Sequence, residues 1–209
     1  MRPAGINRSS EGRRQDMVKH ARPGEVTLIT GGARSGKSRL AEAIIAHESN
    51  SAIYIATAEV RDDEMAERIA EHRARRGDTW QTQEIPLNLV EGLAELQTRQ
   101  EPILVDCLTL WLTNIMLADR DVDQEINNLM TGLVAVTAPL VLVSNETGLG
   151  IVPDNALARR FRDLSGIMNQ RIAQAADNVL FVAAGLPLVL KGRHPGSDAA
   201  TNLKSGKHE

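Results

Sequence analysis

Residues 26–38 read Val26-Thr27-Leu28-Ile29-Thr30-Gly31-Gly32-Ala33-Arg34-Ser35-Gly36-Lys37-Ser38, and this stretch decides the fold. Its first five residues carry no charge and no polar alternation beyond threonine, the make-up of a strand buried on both faces. The next eight match G-x-x-x-x-G-K-[ST]. In that pattern the glycines let the backbone bend until successive N–H groups converge on phosphate oxygens. The helix that follows aims its positive end at the same point. Lys37 is set to reach the β- and γ-phosphates of a nucleoside triphosphate, and Ser38 to ligate Mg2+. A chance glycine turn would need neither the strand before nor the helical pattern after.

Outward from this loop the chain alternates short apolar runs with longer amphipathic ones. Residues 52–56 (AIYIA), 103–107 (ILVDC), 140–144 (LVLVS) and 179–183 (VLFVA) are further strand-length runs. Helical patterns occupy 38–47, 62–76, 87–96, 123–136 and 155–176. Strand and helix in alternation predict a doubly wound α/β fold, a mostly parallel sheet flanked by helices. Only Ala184-Gly185-Leu186-Pro187 separates residue 183 from the run 188–190. That gap is too short for a crossover helix, so the last strand is expected antiparallel, at an edge.

Residues 1–24 and 192–209 are polar and lack apolar periodicity, so they are expected to be a disordered extension and a flexible tail around one domain at 25–191. The chain has 209 residues, 42% hydrophobic and 24% charged, with a formal net charge of −3. No apolar run is long enough for a membrane span, and no apolar segment of a secretory signal follows the basic N-terminus. The single cysteine, Cys107, excludes an internal disulfide and suits a reducing cytoplasm. Five aromatic residues and slight acidity argue against nucleic acid as a partner.

Asp106 closes the run 103–105, where a carboxylate can hold the water shell of a nucleotide's magnesium; capping the next helix is the competing role. Cys107 beside it reads as a packing residue. The pattern 62–76 has acids in its first turn, bases in its last, and Gly77 after it, all suited to a helix dipole. Arg68, His72, Arg75 and Arg76 share one of its faces by i, i+3 and i+4 spacing. Such guanidinium groups would keep an imidazole unprotonated for attack on a phosphate, and would bind the phosphate oxygens. Spacing alone favours the plainer alternative, a solvated helix end. Glu146 lies past the run 140–144, at the edge where open α/β sheets place ligands. It is either a base or metal ligand, or a loop acid capping residues 147–150.

The combination of residues 30–38, Tyr54-Ile55-Ala56-Thr57, Asp62-Asp63-Glu64-Met65, the His72 segment and Ser144-Asn145-Glu146-Thr147-Gly148-Leu149-Gly150-Ile151-Val152-Pro153 resembles the bifunctional adenosylcobinamide kinase/adenosylcobinamide-phosphate guanylyltransferase family of cobalamin biosynthesis. The likeness continues through 159–163 and 169–171 and covers roughly residues 26–191. It implies a P-loop NTPase of RecA-like form and a cytoplasmic homotrimer. It also implies two reactions. Adenosylcobinamide is phosphorylated with ATP or GTP, and GMP then passes from GTP to the product, adenosylcobinamide phosphate, through a GMP–histidine intermediate. Only His72 stands at the matching position, which reverses the plainer reading; the residue before it is Glu71, so no second imidazole adjoins it. The resemblance makes His72, Lys37 and Glu146 the catalytic set. It assigns nucleotide contacts to Gly31, Gly32, Ala33, Arg34, Ser35, Gly36, Lys37 and Ser38, to Thr57, Ala58 and Glu59, to Arg73, Ala74, Arg75 and Arg76, and to Glu84 and Asp106. Ser38 and Asp106 are the expected Mg2+ ligands. For Glu84 an ordinary loop acid is an equal alternative.

Three other readings compete, and the simplest, a pure nucleotide-binding module, would need none of the His72 helix. A P-loop small-molecule kinase would transfer phosphoryl groups with His72 inert. A RecA-like motor would need a basic groove, stacking aromatics and a recognition domain, and the sequence offers none of them.

Overall fold

The computed structural model describes residues 24–59, 77 and 79–195. Among the described residues the apolar runs and one further segment, β3, form a seven-stranded sheet: β1 (Val26–Gly31), β2 (Ala52–Ala56), β3 (Trp80–Glu84), β4 (Ile103–Asp106), β5 (Leu140–Asn145), β6 (Asn178–Ala183) and β7 (Leu186–Lys191). Their order is β3-β2-β4-β5-β1-β6-β7. All neighbours pair parallel except β6 and β7, which are antiparallel as expected. Ala184 and Gly185 make the hairpin turn with φ of 51° and 79°, the two positive values that a tight turn between twisted strands favours.

Helices α1 (Lys37–Glu48), α2 (Leu89–Glu95), α3 (Leu108–Leu117), α4 (Val122–Ala135) and α5 (Ala156–Ala175) cover the sheet. Side-chain alternation along the strands divides the core in two. Leu28, Ile53, Ile55, Val105 and Leu142 pack beneath α2 to α5 with Trp111 and Met168. On the other face Ile29, Tyr54, Leu104, Val143 and Leu180 pack against Leu40, Ala41, Ile44 and Ile45 of α1. The central strands β1, β2 and β5 are buried on both faces, which is why their sequences lack alternation.

Two elements were not expected. β3 reads Trp-Gln-Thr-Gln-Glu, and as an edge strand it needs only Trp80 to turn inward, so its apolar signal is too thin to register. α3 follows Cys107 at once and is apolar nearly all round, because it is wedged under the sheet; without a polar stripe it has no helical period to read. The expected helix at 62–76 lies outside the described residues. Past Lys191, Arg193 pairs with Glu25 at 2.7 Å, a carboxylate held also by Asn178 Nδ2 at 2.6 Å, so the two ends of the sheet segment are tied together.

Candidate active site

Strand register gathers the candidate residues along the sheet's carboxyl edge. Gly31 stands opposite Asn145 and Val182, Ala56 opposite both Asp106 and Glu84. Asp106 lies two residues beyond Leu104, and Glu84 four beyond Trp80, so both side chains emerge on the α1 face. That is the face from which the loop 31–38 delivers Lys37 and Ser38. Two strand spacings, about 10 Å, separate the Glu84 and Asp106 backbones.

The loop takes the shape its glycines permit. Gly31 has φ 149° and Gly36 φ 101°, and a Cβ on Gly31 would press into the Val182 carbonyl oxygen. Gly185 N donates to Ser35 O at 2.9 Å, so the β6–β7 turn braces the loop from outside. α1 begins after Gly36 with no side-chain cap, and its first N–H groups point into the loop as an anion site. Lys37 is buried and its Nζ donates to Gly32 O at 2.6 Å across the loop. Ser35 Oγ is buried in the loop without a partner. Gly32, Ala33 and Arg34 are exposed, and Ser38 is half-buried.

These residues suit a magnesium–nucleotide. A loop start at Gly31 with no room for a Cβ, an orphaned hydroxyl at Ser35 and an uncapped helix start are features that suit phosphate. Ser38 and Asp106 supply oxygen donors only, the set Mg2+ prefers when phosphates and water complete its shell.

Asp106 does not cap α3, whose N-cap is Cys107. Its Oδ2 accepts from Tyr54 Oη at 3.3 Å, and the Asp106–Cys107 peptide is cis. Thr57, expected to contact nucleotide, is fully buried, its hydroxyl accepting from Cys107 N at 2.8 Å and donating to Cys107 O at 2.7 Å. Ala58 and Glu59 follow it, half-buried. Burial, and then the neighbouring Asp106 charge, push the Cys107 thiol above its ordinary pKa, which fits its reading as a packing residue.

Glu146 is bound into the edge by its backbone, donating from N to Gly31 O at 2.9 Å. Its Oε1 accepts from Gly148 N at 2.7 Å, which is the loop-capping arrangement. Below it Asn145 Nδ2 donates to Thr109 Oγ1 at 2.9 Å, while Asn169 donates to Asn145 O and accepts from Ser144 Oγ. Thr109 and Asn114 belong to α3 and went unread with it; Asn169 is signalled only by the resemblance. His72, Arg73, Ala74, Arg75 and Arg76 lie outside the described residues, in the connection that leaves β2 at this edge and re-enters at β3.

Residues 27–190 match a family model described as cobinamide kinase / cobinamide phosphate guanyltransferase. The bifunctional adenosylcobalamin biosynthesis protein CobP of Pseudomonas aeruginosa is 50% identical over 167 residues, covering 79% of this chain and 96% of that protein. The protein CobU of Salmonella typhimurium, of the same description, is 41% identical over 179 residues, 78% of this chain and 98% of that one. Among solved structures, flagellar accessory protein FlaH from Methanocaldococcus jannaschii superposes with a TM-score of 0.48 at 15% identity, over 85% of this chain and 83% of that one.

Proposed function

The chain belongs to the cobinamide kinase / cobinamide phosphate guanyltransferase family and is a bifunctional kinase and guanylyltransferase of cobalamin biosynthesis, and from that premise we propose how its residues divide the two reactions. The observation that carries the reading is the strand pairing at the carboxyl edge, where Gly31 stands opposite Asn145, Ala56 stands opposite both Asp106 and Glu84, and Asp106 is level with Val143, two residues short of Asn145.

In the first reaction ATP or GTP lies with its phosphates in residues 31–38. Lys37 exchanges the Gly32 carbonyl for phosphate oxygens, and Ser38 with Asp106 would hold Mg2+, which supplies charge neutralisation on the phosphates. The substrate hydroxyl of adenosylcobinamide attacks the γ-phosphorus. The new O–P bond replaces the bond to the β-phosphate oxygen, nucleoside diphosphate leaves, and the hydroxyl proton passes to the Glu146 carboxylate, which the Gly148 N–H holds in place through Oε1 and which thus serves as both loop cap and base. In the second, a ring nitrogen of His72 attacks the α-phosphorus of GTP and pyrophosphate leaves. An oxygen of adenosylcobinamide phosphate then displaces the imidazole, giving adenosylcobinamide-GDP and free His72. Arg73, Arg75 and Arg76 offset charge on the transferring phosphate, and Ala74, Ala58, Glu59 and Glu84 complete the nucleotide contacts.

The working domain is residues 25–191. It acts in the cytoplasm as a homotrimer; no helix among the described residues is long and apolar enough to cross a membrane. Support for self-association comes from exposed apolar side chains on β7, Leu186, Leu188 and Leu190, and in the loop at Leu149 and Ile151.

The test is a product series. Protein is incubated with adenosylcobinamide, GTP and Mg2+, and the corrinoids are separated by liquid chromatography with mass detection. The wild type should yield the phosphate and then the GDP derivative, His72→Ala only the phosphate, and Lys37→Ala neither. A GDP derivative from His72→Ala would overturn the covalent route.

A further inference from the structure

We propose that Tyr54, Thr57 and Asn114 form a clamp that sets the attitude of the Asp106 carboxylate, which makes Thr57 a positioning residue rather than a nucleotide ligand. The proposal rests on the reading of Asp106 as a magnesium ligand and says what holds it there.

Every hydrogen-bonding group of Thr57 is turned inward. Its hydroxyl closes a two-bond ring on Cys107, the residue after Asp106, accepting from N at 2.8 Å and donating to O at 2.7 Å. Its N–H donates to Asp106 O at 3.3 Å. Its carbonyl accepts from Asn114 Nδ2 at 2.8 Å, and the same amide donates to Pro86 O at 3.0 Å, two residues after Glu84. Thr57 is fully buried and Asn114 nearly so. One α3 amide thus ties together the ends of β2 and β3, while the Thr57 hydroxyl ties β2 to the end of β4. These are the strands that carry Thr57, Glu84 and Asp106. Tyr54 Oη then reaches Asp106 Oδ2 directly at 3.3 Å.

Only a group that donates and accepts at once can close the ring on Cys107. Serine retains that ability and valine, of similar shape, does not. Groups that orient metal ligands matter to metal affinity nearly as much as the ligands do.

The experiment measures the gain that Mg2+ brings to binding of a non-hydrolysable GTP analogue, the Kd in EDTA divided by the Kd in Mg2+. No turnover is involved. Thr57→Val should lower this gain about tenfold, leave the Kd in EDTA unchanged, and be rescued by Thr57→Ser. Tyr54→Phe should lower the gain less. Asp106→Asn is the reference. If it removes the gain while Thr57→Val keeps it, the clamp is refuted and the metal reading stands. If Asp106→Asn itself keeps the gain, the metal reading falls and the clamp with it. A Thr57→Val variant that binds the analogue weakly in EDTA as well would make Thr57 a nucleotide ligand, against the proposal. Should Thr57→Val not fold, Asn114→Ala removes the tether without touching the hydroxyl, and an undiminished gain there refutes the clamp equally.

Discussion

Gly31→Ala should unfold the protein far more readily than the adjacent Gly32→Ala, although both glycines belong to one phosphate loop. At Gly31 the backbone holds φ 149°, a conformation that residues with a side chain rarely adopt, and a new Cβ would stand 3.0 Å from Ser35 Oγ and 3.2 Å from the Val182 carbonyl carbon, with the carbonyl oxygen nearer still. Carbon atoms in comfortable contact sit about 3.5–4.0 Å apart. The obstacle is backbone, and it belongs to the partner strand, since Gly31 and Val182 are register neighbours of β1 and β6. Relief therefore means prising two parallel strands apart. Overpacking costs about 1–3 kcal/mol and a side chain in disfavoured backbone about 1–3 kcal/mol, so a total of about 2–6 kcal/mol is expected. For a chain of this length, at about 2–4 °C per kcal/mol, that lowers Tm by about 4–24 °C. At Gly32 a Cβ meets nothing within 4 Å, so the change should stay within about 0.5 kcal/mol. Thermal unfolding of the two variants followed by circular dichroism is the assay. Equal melting temperatures, or a Gly31→Ala variant that melts with the wild type, would refute the packing argument.

Arg193→Ala would strip the buried Glu25 carboxylate of its guanidinium partner. Because Arg193 is itself partly exposed, the loss should be about 2–4 kcal/mol, somewhat below that for breaking a fully buried pair, and urea unfolding reads it; an unchanged midpoint would contradict the tie. The thiol of Cys107 is buried and its pKa raised, so it stays protonated through neutral pH. It should react with a disulfide reagent at pH 8 only after denaturation, and rapid labelling of the native protein would count against that environment. The raised pKa also fixes a sign: any stability it contributes is present below the unfolded thiol's pKa and is lost as pH climbs through the folded value. Trp111→Phe keeps the ring in the core but removes the donor that reaches Leu87 O at 3.0 Å; a loss of about 1 kcal/mol is expected by urea unfolding, and none at all would mean that the bond contributes nothing.

How much of the molecule could be read in advance followed from how each segment meets water. The central strands are buried on both faces and announce themselves as unbroken apolar runs, and the loop 31–38 is legible because phosphate binding restricts residue type at fixed spacing. β3 escaped because an edge strand needs only one inward aromatic, and α3 because a helix buried all round loses its amphipathic stripe. With α3 went Thr109 and Asn114, whose work is to hold Asn145 and Thr57. Thr57 is the instructive case. The resemblance implies a nucleotide contact there, while the structure shows its hydroxyl hydrogen-bonded to Cys107, a residue 50 positions away that the β2–β4 pairing brings near. Long-range hydrogen bonds of this kind leave no local pattern to read. Glu146 shows the converse, since its bond from Gly148 N spans two residues and is local enough to read from the sequence.

One chain performs both transfers, and we propose that His72 carries the guanylyl group between them. The most direct measurement is to incubate wild type and His72→Ala with GTP radiolabelled at the α-phosphate and Mg2+, denature, and count protein-bound label. A histidine phosphoramidate predicts label on the wild type that is stable to alkali, lost in acid and absent from His72→Ala. A well-folded wild type that never takes up label, or equal labelling of His72→Ala, would contradict it.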